Sequence, residues 1–412
     1  MTSQSDDRSL IRLTGWIYFP LAFIARLPFA MMVVGVLTLV ASSTGSVALA
    51  GLTSAAVGLG VVTAGPVVGD LVDRHGQRAV LTPIGIVNGI LLALFPMVVL
   101  ADAPAPLLLL AGVLIGLSAP QSAALSRARL IALVARLGSI GRSNTLSRVM
   151  AYESAADETA FVIGPVLVGL AAALVAPWAP IAIAAGLSLV FVTAFALHPS
   201  ATVADAARHS STSRAPFRAV MTRPILVLVA ATFGVGLFFG ATLTSLTAFT
   251  QERGIGDMAG LLYGVMGVGS AVLALAVMLL PSRFALRWRW IVFGGVVLVA
   301  AGGYALASDV PVVTVMLCLA GVGVGPTLVT LFSLAGERSP AGRSATTMTL
   351  LGSAVTLAQA TASAVTGWVA EALSASAAMT LPLVAAAIVL LLGGANLIGE
   401  RRAADAGRLA YA

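Results

Sequence analysis

Lysine is missing from this sequence, and all 23 basic residues are arginines. The phosphate-binding loop of ATP-driven motors contains a lysine that contacts the nucleotide phosphates, so the sequence excludes a motor of that type. Charge of either sign is also scarce. Only 9% of the 412 residues are charged, whereas soluble domains contain about a quarter charged residues. The composition therefore indicates an integral membrane protein.

Cysteine and histidine are also rare. Cys318 is the single cysteine, so an internal disulfide is excluded. His75, His198 and His209 are scattered and do not have the spacing of a metal site. The sequence also contains no motif that pairs a nucleophile with a base. We therefore expect no metal, no cofactor and no enzymatic activity.

Long apolar runs dominate the sequence, which is 59% hydrophobic with a mean hydropathy of +1.03. A membrane-spanning helix needs about 20 mainly apolar residues, and we predict twelve such helices. The first six are Trp16–Ala41, Val47–Gly69, Ala79–Ala101, Ala105–Ser126, Ser147–Val175 and Pro177–Leu197. The second six are Pro224–Thr250, Met258–Pro281, Trp288–Ala307, Val310–Leu334, Ser344–Leu373 and Ser376–Ile398. The fold class is therefore all-α, with two six-helix halves.

The arrangement of the polar segments predicts the domains and the orientation. We place a six-helix bundle at residues 1–198, a cytoplasmic linker at 199–223, a second bundle at 224–398 and a cytoplasmic tail at 399–412. With both termini in the cytoplasm, 21 of the 23 arginines lie in the tails, in the even-numbered loops or in the first residues of the helices after these loops, Arg127 and Arg129 among them in the fourth loop. This placement predicts the inner (plasma) membrane. It also explains the net charge of +7 without nucleic acid.

A short charged segment joins the second and third runs. Its residues follow the spacing G-x-L-x-D-R-x-G-x-R-x-x-L, which is formed by Gly69, Leu71, Asp73, Arg74, Gly76, Arg78 and Leu81. The pattern resembles the signature loop between the second and third helices of the major facilitator superfamily. Gly76 permits a tight turn, and the anionic Asp73 suits the N-terminus of a neighbouring helix. We expect that helix to be the eleventh, near Ser344–Thr346, so that the loop acts as a cytoplasmic gate.

The two halves of the sequence resemble each other. The segments Leu110–Gly116 and Leu319–Gly325 each contain two glycines four residues apart, and a proline follows each, Pro120 or Pro326. Two parallel six-helix repeats are the architecture of transporters of this superfamily. Glycine pairs alone are weak support, because any close-packed membrane bundle contains them.

Charge inside a membrane helix is costly and marks candidate functional sites, and four ionisable residues inside the predicted helices stand out. They are Arg26 in the first helix and Glu153, Asp157 and Glu158 in the fifth. One arginine cannot neutralise three acids, so we predict that Arg26 pairs with Asp157 or Glu158 and that one acid carries a coupling proton. The alternative is a purely structural ion pair between the first and fifth helices, with Glu153 paired to Arg148.

Further candidates come from the resemblance to the family. Gly164, Pro165 and Gly169 partly match the Gly-Pro motif in the fifth helix of the superfamily's antiporters, although the spacing of the second glycine differs. Pro165 in any case predicts a bend. The resemblance also predicts polar and aromatic residues that line a substrate cavity: Gln121, Phe238, Phe239, Thr242, Thr330 and Gln359.

The resemblance as a whole implies a secondary active transporter, most similar to the twelve-helix drug:proton antiporters. It would work as a monomer by alternating access and exchange protons for small lipophilic or weakly polar molecules across the lipid bilayer. A proton-coupled importer of a small solute such as a sugar would share the same fold. A non-transporting scaffold or sensor would not need ionisable groups at mid-depth, so Arg26 and Asp157 argue against it.

Overall fold

The computed structural model describes residues 14–136, 142–209, 215–255, 258–281 and 283–409. Within these ranges all regular structure is helical, and twelve helical spans are long and apolar enough to cross a membrane, as predicted. The first six are α1 (Tyr18–Thr44), α2 (Leu49–His75), α3 (Gln77–Leu100), α4 (Ala105–Val134), α5 (Thr145–Leu174) and α6 (Ala179–Leu197). The second six are α7 (Arg223–Glu252), α8 (Ala259–Leu279), α9 (Leu286–Ala305), α10 (Val310–Arg338), α11 (Ser344–Ala372) and α12 (Ala375–Glu400).

Three of the spans are interrupted, and the break in α12 comprises only Met379 and Thr380. In α1 the helices Tyr18–Ile24 and Leu27–Thr44 meet at Arg26, which is the N-cap of the second. In α4 the helices Ala105–Leu117 and Ser122–Val134 flank a four-residue break that contains Pro120. Proline lacks a backbone N–H and disfavours helical geometry in the residue before it, which accounts for the interruption.

One prediction was wrong at the C-terminal end of α4. Arg127 and Arg129, which we placed in the fourth loop, lie within the helix Ser122–Val134 and are 4% and 0% exposed. A charged side chain near the end of an apolar run suggests a loop, but here both guanidinium groups find partners inside the protein. The helix therefore continues eight residues beyond the predicted end at Ser126.

The described residues form two compact units. The first unit comprises Met1–Val149, Ala156–Phe217 and Pro340–Ser353, and thus holds α1–α4, α6, most of α5 and the start of α11. The second unit comprises Met150–Ala155, Arg218–Ser339 and Ala354–Ala412, with α7–α10, the rest of α11 and α12. The predicted domain boundaries near residues 198 and 224 stay a prediction.

In each unit a pair of glycines lets two helices pack at very short distance. In the first unit a Cβ on Gly116 of α4 would collide with the backbone carbonyl of Val57 on α2. In the second unit a Cβ on Gly325 of α10 would collide with the backbone carbonyl of Ser270 on α8. Small residues allow helices in lipid to approach until their backbones touch. The repeated glycine pairs of the sequence therefore have the same packing role in both units.

Candidate functional site

An ion cluster lies inside the first unit and is formed by residues of three membrane spans. Asp157 of α5 forms an ion pair with Arg26 of α1, with 3.3 Å between Nη1 and Oδ1, and another with Arg127 of α4, with 2.5 Å between Nη2 and Oδ2. The two arginine side chains are 3% and 5% exposed, and Asp157 is 18% exposed. Buried ion pairs need such close contacts to offset the loss of hydration. The cluster thus ties α1, α4 and α5 together through charge.

The predicted pair between Arg26 and Asp157 is present, but the sequence interpretation missed Arg127. A signal was available, because Arg127 lies in the apolar run that continues from Leu125 to Val134. The other two acids are also withdrawn from solvent, since Glu153 is fully buried and Glu158 is half-buried on α5. Their roles stay a prediction.

The signature loop contacts the start of α11 within the first unit, where the sequence predicted it. The Asp73 carboxylate accepts from the backbone N–H of Ala345 at 3.1 Å, from the N–H of Thr346 at 2.7 Å and from the Thr346 hydroxyl at 2.6 Å. The first N–H groups of a helix have no partner within the helix and carry a partial positive charge. The 6% exposed Asp73 therefore caps α11 from another helix.

A second acid in this region was missed. Asp70 pairs with Arg74 one turn later on α2 at 2.6 Å, and also with Arg343 just before α11. Arg343 also donates to the backbone carbonyl of Ala215 at 2.8 Å. Asp70 lies at a position that the signature leaves open, so the motif could not identify it. Arg78 of the motif is exposed.

Two glycines of the signature have clear structural reasons. Gly69 lies against α11, where a Cβ would approach the Cα of Thr346 to 2.9 Å. Gly76 connects α2 and α3 with a φ of +87°, which favours glycine, and a Cβ there would lie 2.6 Å from the carboxylate of Asp205. Both residues allow the loop to lie close to its neighbours.

The residues of the Gly-Pro motif in α5 have different surroundings. Gly164 packs on α1, where a Cβ would lie 2.7 Å from the Cβ of Ala30. Pro165 lies inside a continuous helix, and a Cβ on Gly169 would meet no atom within 4 Å. Gly164 thus has a packing role.

The predicted cavity residues are distributed over both units. Gln121 lies at the break of α4 in the first unit, whereas Phe238, Phe239, Thr242, Thr330 and Gln359 belong to the second. In the second unit Phe238 and Thr242 are buried, and the Thr330 hydroxyl donates to the Pro326 carbonyl of its own helix at 2.8 Å. One cavity beside Phe238 has a volume of about 10 Å³, which is the space that a single water needs. That cavity is too small for an organic substrate.

Three further polar groups are buried inside the protein, although the sequence places Asn88 and Tyr304 on helices expected to face lipid or the periphery and Arg129 in the fourth loop. Asn88 of α3 is fully buried and donates to the Ile115 carbonyl at 3.1 Å, and the Tyr304 hydroxyl lies 3.1 Å from that of Ser245. Arg129 donates to the Gln77 side chain at 2.7 Å and stacks on a phenyl ring. Burial and the nearby Arg129 lower the pKa of His198, which lies just beyond α6. Among the described residues, no group of three His, Cys, Asp or Glu side chains could hold a metal.

Solved structures share this architecture at low sequence identity. The human organic anion transporter TETRAN aligns with a TM-score of 0.70 and 18% identity over 93% of this chain and 99% of its own. A bacterial homologue of the iron transporter ferroportin in the outward-facing state aligns with a TM-score of 0.70 and 18% identity over 92% of this chain and 97% of its own. The fucose:proton symporter of E. coli aligns with a TM-score of 0.64 and 15% identity over 92% of this chain and 98% of its own. These similarities show the fold alone.

Sequence comparisons identify the family. No curated protein matches the chain. The family model described as Major Facilitator Superfamily, however, matches residues 18–363, which is most of its length. Together with the twelve apolar helices and the ion cluster among them, this match establishes that the chain belongs to the Major Facilitator Superfamily and is a multi-pass membrane transporter rather than an enzyme.

Proposed function

We propose that this transporter exports small lipophilic or weakly polar molecules from the cytoplasm in exchange for protons. In this proposal it lies in the plasma membrane with both termini inside, and its two six-helix halves alternate in access as a monomer. The observation that carries the proposal is the Asp157 carboxylate held between Arg26 and Arg127 inside the first unit. Charged groups at this depth are expensive and mark ion or proton pathways.

The charge balance of this region supports proton coupling. Arg26 and Arg127 supply two positive charges, whereas α5 carries the three acids Glu153, Asp157 and Glu158. Asp157 is already engaged by both arginines. We assign proton exchange to Glu153 and Glu158, because both acids are withdrawn from solvent and burial favours the protonated form of a carboxyl group. Asp157 has the role of a fixed anion that positions both arginines.

The contact between Asp73 and α11 supports alternating access. In the proposed cycle it forms when the cytoplasmic side is closed and breaks when that side opens. The Asp73→Asn substitution removes the charge that holds three donors of α11. It should slow turnover while leaving substrate affinity nearly unchanged. Full turnover in Asp73→Asn would contradict the role as a gate.

Transport by purified protein in liposomes tests proton coupling and direction together. A growth screen of an overexpressing strain against toxic compounds, with and without a protonophore, first identifies a substrate. Acid inside the liposomes should then drive accumulation of that substrate, because protons leave as it enters. A proton-coupled importer would instead need acid outside, so the same assay separates the two functions.

Matched variants test the proposed proton carriers. Glu153→Gln and Glu158→Gln should each reduce pH-driven accumulation, whereas Glu371→Gln makes the same chemical change at the exposed end of α11 and should not. Retention of full coupling in both Glu153→Gln and Glu158→Gln would refute the assignment. Immunoblots of the liposomes check that all variants are present in equal amounts.

A further inference from the structure

We propose that the break in α4 binds the anionic group of the substrate, a carboxylate or a sulfonate on an otherwise lipophilic molecule. The site consists of Gln121, Ser122 and the N-terminus of the helix that follows them. This inference rests on the proposed function and names the substrate class of the same transporter. It predicts an amphiphilic organic anion rather than a neutral or cationic compound.

The position of the break suits a substrate site. A helix of 13 residues precedes it and another of 13 residues follows it. At 1.5 Å per residue the break therefore lies roughly 20 Å from either end of the span. Discontinuous helices at the middle of the membrane are a recurring way for transporters to present helix termini to a substrate.

The helix that begins at Ser122 presents a partial positive charge to this point. Its first intrahelical hydrogen bond runs from the Leu125 N–H to the Gln121 carbonyl, so three N–H groups precede it. The first turn contains no acidic residue, and the N-cap Gln121 makes no side-chain capping hydrogen bond. A helix N-terminus without such compensation attracts an anion.

Two buried side-chain donors at the same point lack partners, and this observation indicates a ligand. Gln121 is 7% exposed and Ser122 is 2% exposed, yet neither the Gln121 Nε2 nor the Ser122 Oγ makes a hydrogen bond. An unsatisfied buried polar group is costly. The Gln121 amide nitrogen can only donate, so the missing partner must supply acceptor oxygens, as a carboxylate or a sulfonate does.

Binding to purified protein in detergent, without any gradient, tests the proposal. The probes are 1-naphthalenesulfonate, the neutral 1-naphthalenemethanol and the cationic 1-naphthylmethylammonium, each titrated while thermal unfolding is measured. A ligand that binds the folded state raises the unfolding temperature with its concentration. The sulfonate should stabilise the wild-type protein and the other two probes should not. Equal stabilisation by all three would overturn the proposal.

Substitutions at the break locate the binding. Gln121→Glu has nearly the same shape and places a negative charge at the helix N-terminus, so it should weaken sulfonate binding at least tenfold. Gln121→Leu removes the donor without adding charge and serves if the first variant does not fold. Thr327→Val in α10 is the control, because the buried Thr327 hydroxyl lies outside the break and donates to the Gly323 carbonyl of its own helix at 2.8 Å. Sulfonate binding that is unchanged in the Gln121 variants would overturn the proposal.

The same experiment separates this inference from the proposed export. Proton-driven efflux of a neutral or cationic compound, with no stabilisation by the sulfonate, would overturn only the assignment of an anionic substrate. Sulfonate binding that depends on Gln121, in a protein whose transport ignores the pH gradient, would overturn only proton coupling.

Discussion

The helices α4 and α10 begin alike and end differently. Each packs a pair of glycines against a neighbouring helix of its own unit, and each carries a proline shortly afterwards. In α4 the helix stops at Leu117 and restarts at Ser122, whereas α10 continues through Pro326 to Arg338. The repeat thus reproduces the packing of the helices but not their polar chemistry.

The polar groups of the two helices show what this difference means. In α10 the hydroxyls of Thr327, Thr330 and Ser333 each donate to the carbonyl one turn earlier, at 2.7 to 2.8 Å. The helix satisfies these groups by itself. In α4 the donors of Gln121 and Ser122 lack partners. The donors of Gln121 and Ser122 thus need a partner from outside their own helix, as expected for a site that binds substrate.

The largest contrast should come from the ion cluster. Asp157→Ala removes the carboxylate between Arg26 and Arg127, and breaking a buried pair costs about 3–5 kcal/mol. Thr330→Val in α10 removes only a hydroxyl that is bonded to its own helix and should cost about 1 kcal/mol. Denaturation of both purified variants measures the difference. Equal stability would mean that the cluster does not hold α4 in place.

The sequence predicts those parts of the fold and of the candidate site that depend on local patterns. Apolar runs of sufficient length identified twelve spans, and the spacing around Asp73 pointed to the start of α11. Arg127 and Asp70 could not be assigned in the same way. An arginine near the end of an apolar run is stable inside the protein only if a distant acid meets it, and Asp157 is 30 positions away in the sequence. The apolar run around Arg127 indicates locally that the helix continues, but nothing in the local sequence identifies Asp157 as its partner.

Substitution of one glycine in each pair should destabilise the protein to a similar extent in both helices. A methyl group on Gly116 would displace α2 at Val57, and one on Gly325 would displace α8 at Ser270. Overpacking of this kind costs about 1–3 kcal/mol, so Gly116→Ala and Gly325→Ala should lower the free energy of unfolding similarly. Gly295→Ala in α9 is the control, since its Cβ would meet no atom within 4 Å. A loss in one helix alone would show that the packing is not equivalent.

Removal of a single hydroxyl should raise the free energy of unfolding in α4 and lower it in α10. Ser122→Ala deletes a buried group without a partner, so the ligand-free protein should gain about 1 kcal/mol in free energy of unfolding. Thr327→Val deletes a hydroxyl that donates to the Gly323 carbonyl at 2.8 Å and should lose up to about 1 kcal/mol. Denaturant unfolding without ligand measures both. A loss of stability in Ser122→Ala would show that its hydroxyl already has a partner.

The smallest effect concerns the C-terminal ends of the two helices, where stability should depend on pH near α4 because of His198. Arg338 of α10 donates to the Glu400 carboxylate at 2.5 Å, whereas Arg129 of α4 lies near His198. Burial and Arg129 lower the pKa of His198 below its ordinary value of 6.5, so the unfolded chain binds a proton first as the pH falls. The contribution of His198 to stability is therefore complete above pH 6.5 and declines between pH 6.5 and its lower folded-state pKa. Thermal unfolding of His198→Gln across this range should show a shallower decline than the wild type, because the variant has no such group to protonate. Parallel profiles would mean that His198 remains accessible to protons in the folded protein.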